Sequence, residues 1–165
     1  MTVAHRLATF ACETTSLAPP TLEAAQYSVP FCLAAAAIHG AEALLPLEDA
    51  LLGDPKVLGF APRVTVAIAP DLDSMFPRSV PARIAVRTPR GTLSRTVLAP
   101  RGEPVNPLSD DDLRAKFSTI AHSRLAPAIS TSLLDGLDAF DAGELAPLLA
   151  SLGSAPMLAR PAVNL

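Results

Sequence analysis

Aromatic residues are scarce in this chain of 165 residues, which has six Phe, one Tyr and no Trp. Half of the residues are nevertheless hydrophobic, so the core has to be built from Ala, Leu, Val and Ile. Cysteine is equally rare, because only Cys12 and Cys32 occur, and neither has a second Cys or a His at metal-ligand spacing. We therefore expect two reduced thiols and neither a disulfide scaffold nor a metal site.

A dominant charge and a long hydrophobic run are missing as well. The 13 basic and 16 acidic residues are scattered and give a net charge of −3, which excludes the basic footprint that nucleic acid requires. The longest uncharged apolar run is about half of the ~20 residues that a membrane helix needs, and the first residues lack the regions of a signal peptide. We expect a cytoplasmic protein with no nucleic-acid or membrane partner.

The chain does contain a nearly uncharged segment with clear helix-boundary signals, residues 20–40. Ser28 is a preferred N-cap residue, Pro30 falls in the first turn and Gly40 lies where a helix would end. The residues between these boundaries, 29–38, carry no charge. Because a helix that is apolar all round has to be enclosed by protein, this helix is predicted to lie at the centre of a larger assembly.

The remaining pattern predicts a sheet followed by helices. Residues 2–11 read as a strand, and alternating apolar residues predict strands at 64–68 and 82–87, with a third at 92–98 after a turn at Gly91. The alternation indicates a sheet with one buried face and one solvated face. Residues 71–77, between the first two of these three strands, read as an irregular loop.

Helices are predicted in the last third of the chain. Ser109 and Asp112 form a capping-box pattern, and two further helices follow at about 128–139 and 142–152, with Pro147 expected to kink or delay the last one. This order of elements predicts a single domain over residues 1–165. Its fold class is α+β, with a mainly antiparallel sheet and helices packed on one face.

Two blocks of the sequence resemble the C-terminal domain of the MmgE/PrpD family, which includes 2-methylcitrate dehydratases, cis-aconitate decarboxylases and iminodisuccinate epimerases. The first block is the segment 20–40, with its Pro-Thr-x-Glu-Ala start and its Tyr-Ser pair. The second, residues 106–117, is similar to the family pattern N-P-L-S-x-x-x-L-x-x-K-F. The resemblance extends over essentially the whole chain and implies the family's smaller lid domain alone, without the helical domain that supplies most acid/base residues.

The resemblance implies a lid subunit of a dehydratase-like lyase or isomerase that acts on a small di- or tricarboxylate. A partner chain of the helical-domain type would supply most of the acid/base chemistry, and neither an organic cofactor nor a metal is expected. The alternative is a freestanding protein, a repurposed or non-catalytic small-ligand binder or a cyclase, which pairs with itself as a homo-oligomer.

Site residues follow from the same resemblance. The family places a tyrosine where this chain has Phe31. Tyr27 could supply a hydroxyl nearby if the helix began early. Alternatively, the ring of Tyr27 is buried and its hydroxyl donates a hydrogen bond to a backbone carbonyl. The N–H groups from Ser28 to Phe31 suit a substrate carboxylate, unless Ser28 itself and water satisfy them. Lys116 matches the K-F block as a substrate-binding residue, or else pairs with Asp112 one helical turn away.

Other charged residues have simpler interpretations. His39 is predicted to end the apolar helix, where the helix dipole favours a cation. Asp71 and Asp73 read as turn residues. Three arginines on facing strands could form a basic stripe, although exposed strands ordinarily carry such charges: Arg83, Arg87 and Arg95.

Overall fold

A computed structural model describes residues 2–4 and 15–154 of the chain. The chain divides into two compact units, Met1–Pro107 and Leu108–Leu165. Within the described residues, the first unit holds a sheet, four α-helices and three short 3-10 helices, and the second holds three α-helices. None of the helices in the described residues is long and apolar enough to span a membrane.

The sheet of the first unit has four strands in the order β2-β1-β3-β4. Their bounds are Thr2–Ala4 for β1, Thr65–Ala67 for β2, Ala82–Thr88 for β3 and Gly91–Val97 for β4. Strand β1 pairs in parallel with β2 and antiparallel with β3, while β3 and β4 form an antiparallel hairpin. Two of the three pairings are antiparallel, which confirms the predicted α+β fold with a mainly antiparallel sheet.

The first unit also contains α1 Leu22–Gln26, α2 Val29–His39, α3 Pro55–Phe60 and α4 Pro70–Asp73. The boundaries of α2 are those that the sequence predicts. Ser28 Oγ accepts a hydrogen bond from the N–H of Phe31 at 3.1 Å, and Gly40 follows the helix with φ of 96°. This positive φ is a conformation that Gly adopts at little cost.

The core of the first unit is made mostly of small side chains around α2. Phe31 is its one large ring and is fully buried, and it is packed with six smaller residues: Ala25, Ala34, Ala35, Leu47, Val57 and Ala61. Protein does not enclose the whole helix, because its last turn is exposed and Ile38 keeps 36% of its surface. The prediction that α2 lies at the centre of a larger assembly requires a partner to cover this turn, and it stays a prediction.

The second unit consists of α5 Asp110–His122, α6 Pro127–Asp141 and α7 Leu145–Ser154. The predicted capping box at the start of α5 is confirmed. Ser109 Oγ accepts the N–H of Asp112 at 3.2 Å, and Asp112 Oδ2 accepts the N–H of Ser109 at 3.0 Å. Helix α7 begins three residues later than predicted, and Pro147 lies in its first turn, where a missing N–H breaks no helical hydrogen bond.

Two segments differ from the sequence prediction. The strand predicted at 2–11 is present as β1 at Thr2–Ala4, and its remainder lies outside the described residues. The loop predicted at 71–77 begins as a helix, because Pro70 occupies the first helical position of α4, where its fixed φ suits a helix. Leu72 of this helix is buried, which explains why the turn is not an open loop.

Candidate functional site

Tyr27 lies in the short connection between α1 and α2. It is the C-cap of α1 and keeps 58% of its surface exposed. Because α2 begins at Val29, as predicted, Tyr27 and Phe31 do not share a helical face, and the condition set for Tyr27, an early helix start, is not met. The alternative of a buried ring is wrong too, so the phenol group is presented at the surface.

Ser28, directly after Tyr27, is fully buried. Its hydroxyl donates to the carbonyl oxygen of Ser16 and accepts from the N–H of Phe31. Both functions of the hydroxyl are thus used within the first unit, as expected for an N-cap. This supports the structural alternative for Ser28 over a direct contact with substrate.

The start of α2 offers few donors for a carboxylate. Pro30 has no N–H, and the N–H of Phe31 already donates to Ser28. The ring of Phe31 has no exposed surface, since it fills the centre of the core. A substrate contact through the side chains of Ser28 and Phe31 therefore does not fit this fold, and Tyr27 is the exposed group at this helix start.

Cys32 lies on the next turn of α2 as a free cysteine. Its thiol is 3.2 Å from the carbonyl oxygen of Ala25, and burial raises its pKa. A thiol with a raised pKa is a weak nucleophile near neutral pH. Cys32 therefore fits the predicted reduced, structural thiol, while Cys12 lies outside the described residues.

His39 forms an ion pair that the sequence analysis did not anticipate. Its Nε2 lies 2.6 Å from Oδ2 of Asp54, and Oδ1 of Asp54 accepts the N–H of Lys56 at 2.7 Å as the N-cap of α3. The hydrogen bond from His39, followed by that from the Lys56 N–H, lowers the pKa of Asp54. The pair joins the C-terminal end of α2 to the N-terminal end of α3, where each charge suits its helix dipole.

The arginines of the hairpin differ in their surroundings. Arg83 contacts Asp71 of α4, with 2.6 Å between Nη2 and Oδ2, and this contact lowers the pKa of Asp71. Asp71 is therefore an ion-pair partner as well as a residue of a short helix. Arg87 and Arg95 form no ion pair within the described part of the chain.

Strand β4 is exposed at all seven positions. Leu93 and Val97 keep 68% and 45% of their surface, although their alternation predicts a buried face. The predicted division into a buried and a solvated face is thus wrong for β4. The physical reason is that, among the described elements, β4 packs extensively against β3 alone, so its faces are not covered by a second layer.

The second unit has an open groove of about 410 Å³ between α5 and α6. An ion pair crosses it from Arg114 on α5 to Asp138 on α6, with a second contact of 3.1 Å between Nη1 and Oδ2. This contact lowers the pKa of Asp138 and raises that of Arg114. The groove is otherwise lined by four apolar and two acidic side chains: Leu113, Phe117, Leu134, Leu137, Asp110 and Asp141.

Lys116 lies on α5 with an exposed side chain and does not line this groove. The Asp112 carboxylate, its predicted alternative partner, is held in the capping box with Ser109. A role for Lys116 in substrate binding stays a prediction. Within the described residues, no group of three or more His, Cys, Asp and Glu side chains is arranged to hold a metal ion.

Comparison with known proteins assigns the family. No curated protein sequence matches the chain significantly. The family model of the MmgE/PrpD C-terminal domain matches residues 2–134, which include the whole sheet, α1 to α5 and the first half of α6. Both sequence blocks that carry the resemblance lie inside this range, whereas α7 lies beyond it. The chain therefore belongs to the MmgE/PrpD family, as its C-terminal domain.

Proposed function

We propose that this chain is the lid of an MmgE/PrpD-type lyase or isomerase that acts on a small di- or tricarboxylate. The observation that carries the proposal is the family match over residues 2–134, which includes the segment where the family resemblance locates a lid residue of the site. Proton removal next to a carboxylate needs a base, an acid and donors for the acid groups. The lid would contribute one of these groups, and a partner would contribute the others.

Tyr27 is the residue of this chain that we assign to the reaction. It adjoins the start of α2, close in sequence to the position of the family tyrosine, and it is exposed while Ser28 and Phe31 are buried. An exposed phenol can donate a hydrogen bond or a proton to a substrate held by a second protein surface. We place Lys116 in a secondary role, as an exposed cation that attracts a substrate carboxylate.

A partner of the family's helical-domain type completes the site in this proposal. The support is that the matched family model is that of the C-terminal domain alone. In the described residues, the nearest arrangement to an acid/base pair is His39 with Asp54, which is occupied in joining two helix ends. The chain by itself is therefore expected to have no lyase activity.

The test is reconstitution of the chain with a helical-domain chain of the family, followed by assay with 2-methylcitrate, cis-aconitate and iminodisuccinate. Tyr27→Phe removes one hydroxyl and keeps the ring, so loss of a proton donor should lower kcat about 10²- to 10⁴-fold. Thr131→Val is the matched control, because it removes an exposed hydroxyl that bonds only the Pro127 carbonyl of its own helix. Its kcat should equal that of the wild type.

Two results would contradict this proposal. Activity of the isolated chain would refute the need for a partner, and an unchanged kcat of Tyr27→Phe in an active complex would remove Tyr27 from the mechanism. Failure to bind any helical-domain chain, together with a stable homo-oligomer, would favour the freestanding ligand-binding alternative instead.

A further inference from the structure

Strand β4 presents an open hydrogen-bonding edge. It is the outermost strand of the sheet order β2-β1-β3-β4. The hairpin closes with Thr88 opposite Gly91, and bonded and non-bonded pairs alternate from there along an antiparallel ladder. The N–H and C=O groups of Thr92, Ser94 and Thr96 therefore point away from β3, and no backbone group of the described residues pairs with them.

Apart from the charge of Arg95, the side chains of this edge lack the usual protections against pairing with another strand. The register places Leu93, Arg95 and Val97 on one face and the hydroxyl residues Thr92, Ser94 and Thr96 on the other. The strand runs for seven residues in unbroken register with β3 and contains neither Pro nor Lys. Natural edge strands are normally short, bulged, covered or interrupted by such residues, so an open edge of this length is suited to pairing.

The charge around the edge determines which kind of strand it can accept. Residues 74–102 contain six Arg and no Asp or Glu. Arg83 is neutralised by Asp71, whereas Arg87, Arg90 and Arg95 have no ion-pair partner within the described residues. Pairing of two copies through β4 would bring two such hairpins together, and like charges close to each other on neighbouring strands are destabilising. An acidic strand carries the opposite charge and would be attracted to these arginines.

We propose that the β4 edge binds an extended acidic segment of another protein, which adds a fifth strand to the sheet. Backbone bonds to Thr92, Ser94 and Thr96 would supply affinity, as in other cases of strand addition. Apolar residues of the segment would cover Leu93 and Val97 on one face of the sheet, and the carboxylates that alternate with them would lie on the opposite face, where Arg87 is placed beside Thr92. This inference is independent of the lid proposal, because it needs no residue assigned there.

The experiment uses the full chain and a synthetic peptide of alternating Glu and Val, seven residues long and blocked at both ends. A Lys/Val peptide of the same length is the charge control. We expect binding of the Glu/Val peptide only, an affinity that falls with salt, and slowed amide exchange at Thr92, Ser94 and Thr96 by NMR. Equal binding of both peptides, no binding, or protection elsewhere would overturn the proposal.

Two variants separate the backbone from the charge contribution. Ser94→Pro removes one outward N–H and leaves the bonds to β3 intact, so affinity should fall about five- to tenfold, the value of one net hydrogen bond. Arg87→Gln should weaken binding severalfold and reduce its salt dependence, because Arg87 lies on the face that receives the carboxylates. Arg124→Gln, which removes an exposed arginine of the second unit, is the matched control and should bind like the wild type.

The remaining alternative is that the β4 edges of two copies of the chain pair with each other. Analytical ultracentrifugation of the chain without peptide tests it. If the edge binds an acidic segment, the chain alone should form no concentration-dependent dimer through β4. A dimer through β4 would be recognised by its loss in Ser94→Pro. If such a dimer forms, the occupant of the edge is a second copy and the acidic segment is refuted. Circular dichroism of Ser94→Pro checks that the hairpin folds, and Arg87→Gln gives an independent answer if it does not.

Discussion

Gly136 is the point of closest approach between α6 and α7. A Cβ atom added there would lie 2.9 Å from Leu148 Cα and 3.1 Å from Ser151 Oγ. Ser151 is held in place, since its hydroxyl lies 2.8 Å from the carbonyl oxygen of Ser132 and 2.9 Å from that of Pro147. Gly136→Ala should therefore force α7 away from α6, because the nearest atom is backbone and cannot rotate aside.

The magnitude follows from two opposing terms. Overpacking of a close contact costs about 1–3 kcal/mol, whereas replacing Gly by Ala inside a helix gains at most about 1 kcal/mol. Gly153→Ala in α7 is the matched control, because a Cβ atom at that position has nothing within 4 Å. It should be neutral or slightly stabilising, so the two variants should differ by about 1–3 kcal/mol in unfolding free energy.

Urea unfolding followed by circular dichroism at 222 nm measures this difference. A loss of 1 kcal/mol corresponds to a fall in Tm of about 2–4 °C for a chain of this size. If the two units unfold in separate transitions, the change belongs to the transition of the second unit. A Gly136→Ala protein as stable as Gly153→Ala would refute the close packing of α6 on α7.

Three further predictions follow from local contacts. Phe31→Tyr should destabilise the first unit by about 1–3 kcal/mol in urea unfolding, because it buries a hydroxyl without a hydrogen-bond partner. It should not raise activity in the reconstituted complex. A gain of activity would contradict the burial of this ring. The folded pKa of Asp54 is lowered by His39, so its contribution to stability is present above the unfolded pKa of about 3.9 and is lost as pH falls through the folded value. Asp54→Asn keeps an N-cap residue, and its stability deficit at pH 7 should shrink as the pH falls below about 3.9, whereas a deficit independent of pH would exclude the contact with His39 as its cause. Ser109→Ala should cost about 1 kcal/mol of unfolding free energy and reduce helicity, and an unchanged urea midpoint would show that the capping box does not stabilise α5.

Features with a local signal could be predicted from the sequence. The Ser28 and Gly40 boundaries of α2, the capping box at Ser109 and the turn at Gly91 each depend on residues within a few positions of one another. Such signals predict the local backbone conformation, and the structure confirms them at these positions. The hairpin register follows in the same way, because a two-residue turn fixes which residues face each other.

Contacts between distant residues could not be predicted. His39 and Asp54 are separated by 15 positions and Arg83 and Asp71 by 12, and neither pair has a spacing that marks it in the sequence. The exposure of Leu93 could not be predicted either. Alternation of apolar and polar residues shows that the two faces of a strand differ, but it does not show whether another element covers the apolar face.

The candidate site shows a conflict that the sequence itself contained. If Ser28 caps α2, the helix starts at Val29, and Tyr27 cannot share a helical face with Phe31. The two interpretations exclude each other, and the cap is the one that the structure has. Which of the neighbouring rings reaches the surface then depends on core packing, since only the buried ring of Phe31 fills the space between the alanines of α2 and Val57.

The strand order also determines how far apart in the sequence the paired strands are. Strand β1, at Thr2–Ala4, lies between β2 and β3, whose residues follow only at Thr65–Ala67 and Ala82–Thr88. The β3–β4 hairpin can form from neighbouring residues, whereas β1 has to wait for both of its partners and closes a long loop with each. We therefore expect the middle of the sheet to be completed late in folding, by the strand that precedes both of its neighbours in the chain, and until then β2 and β3 have no strand between them.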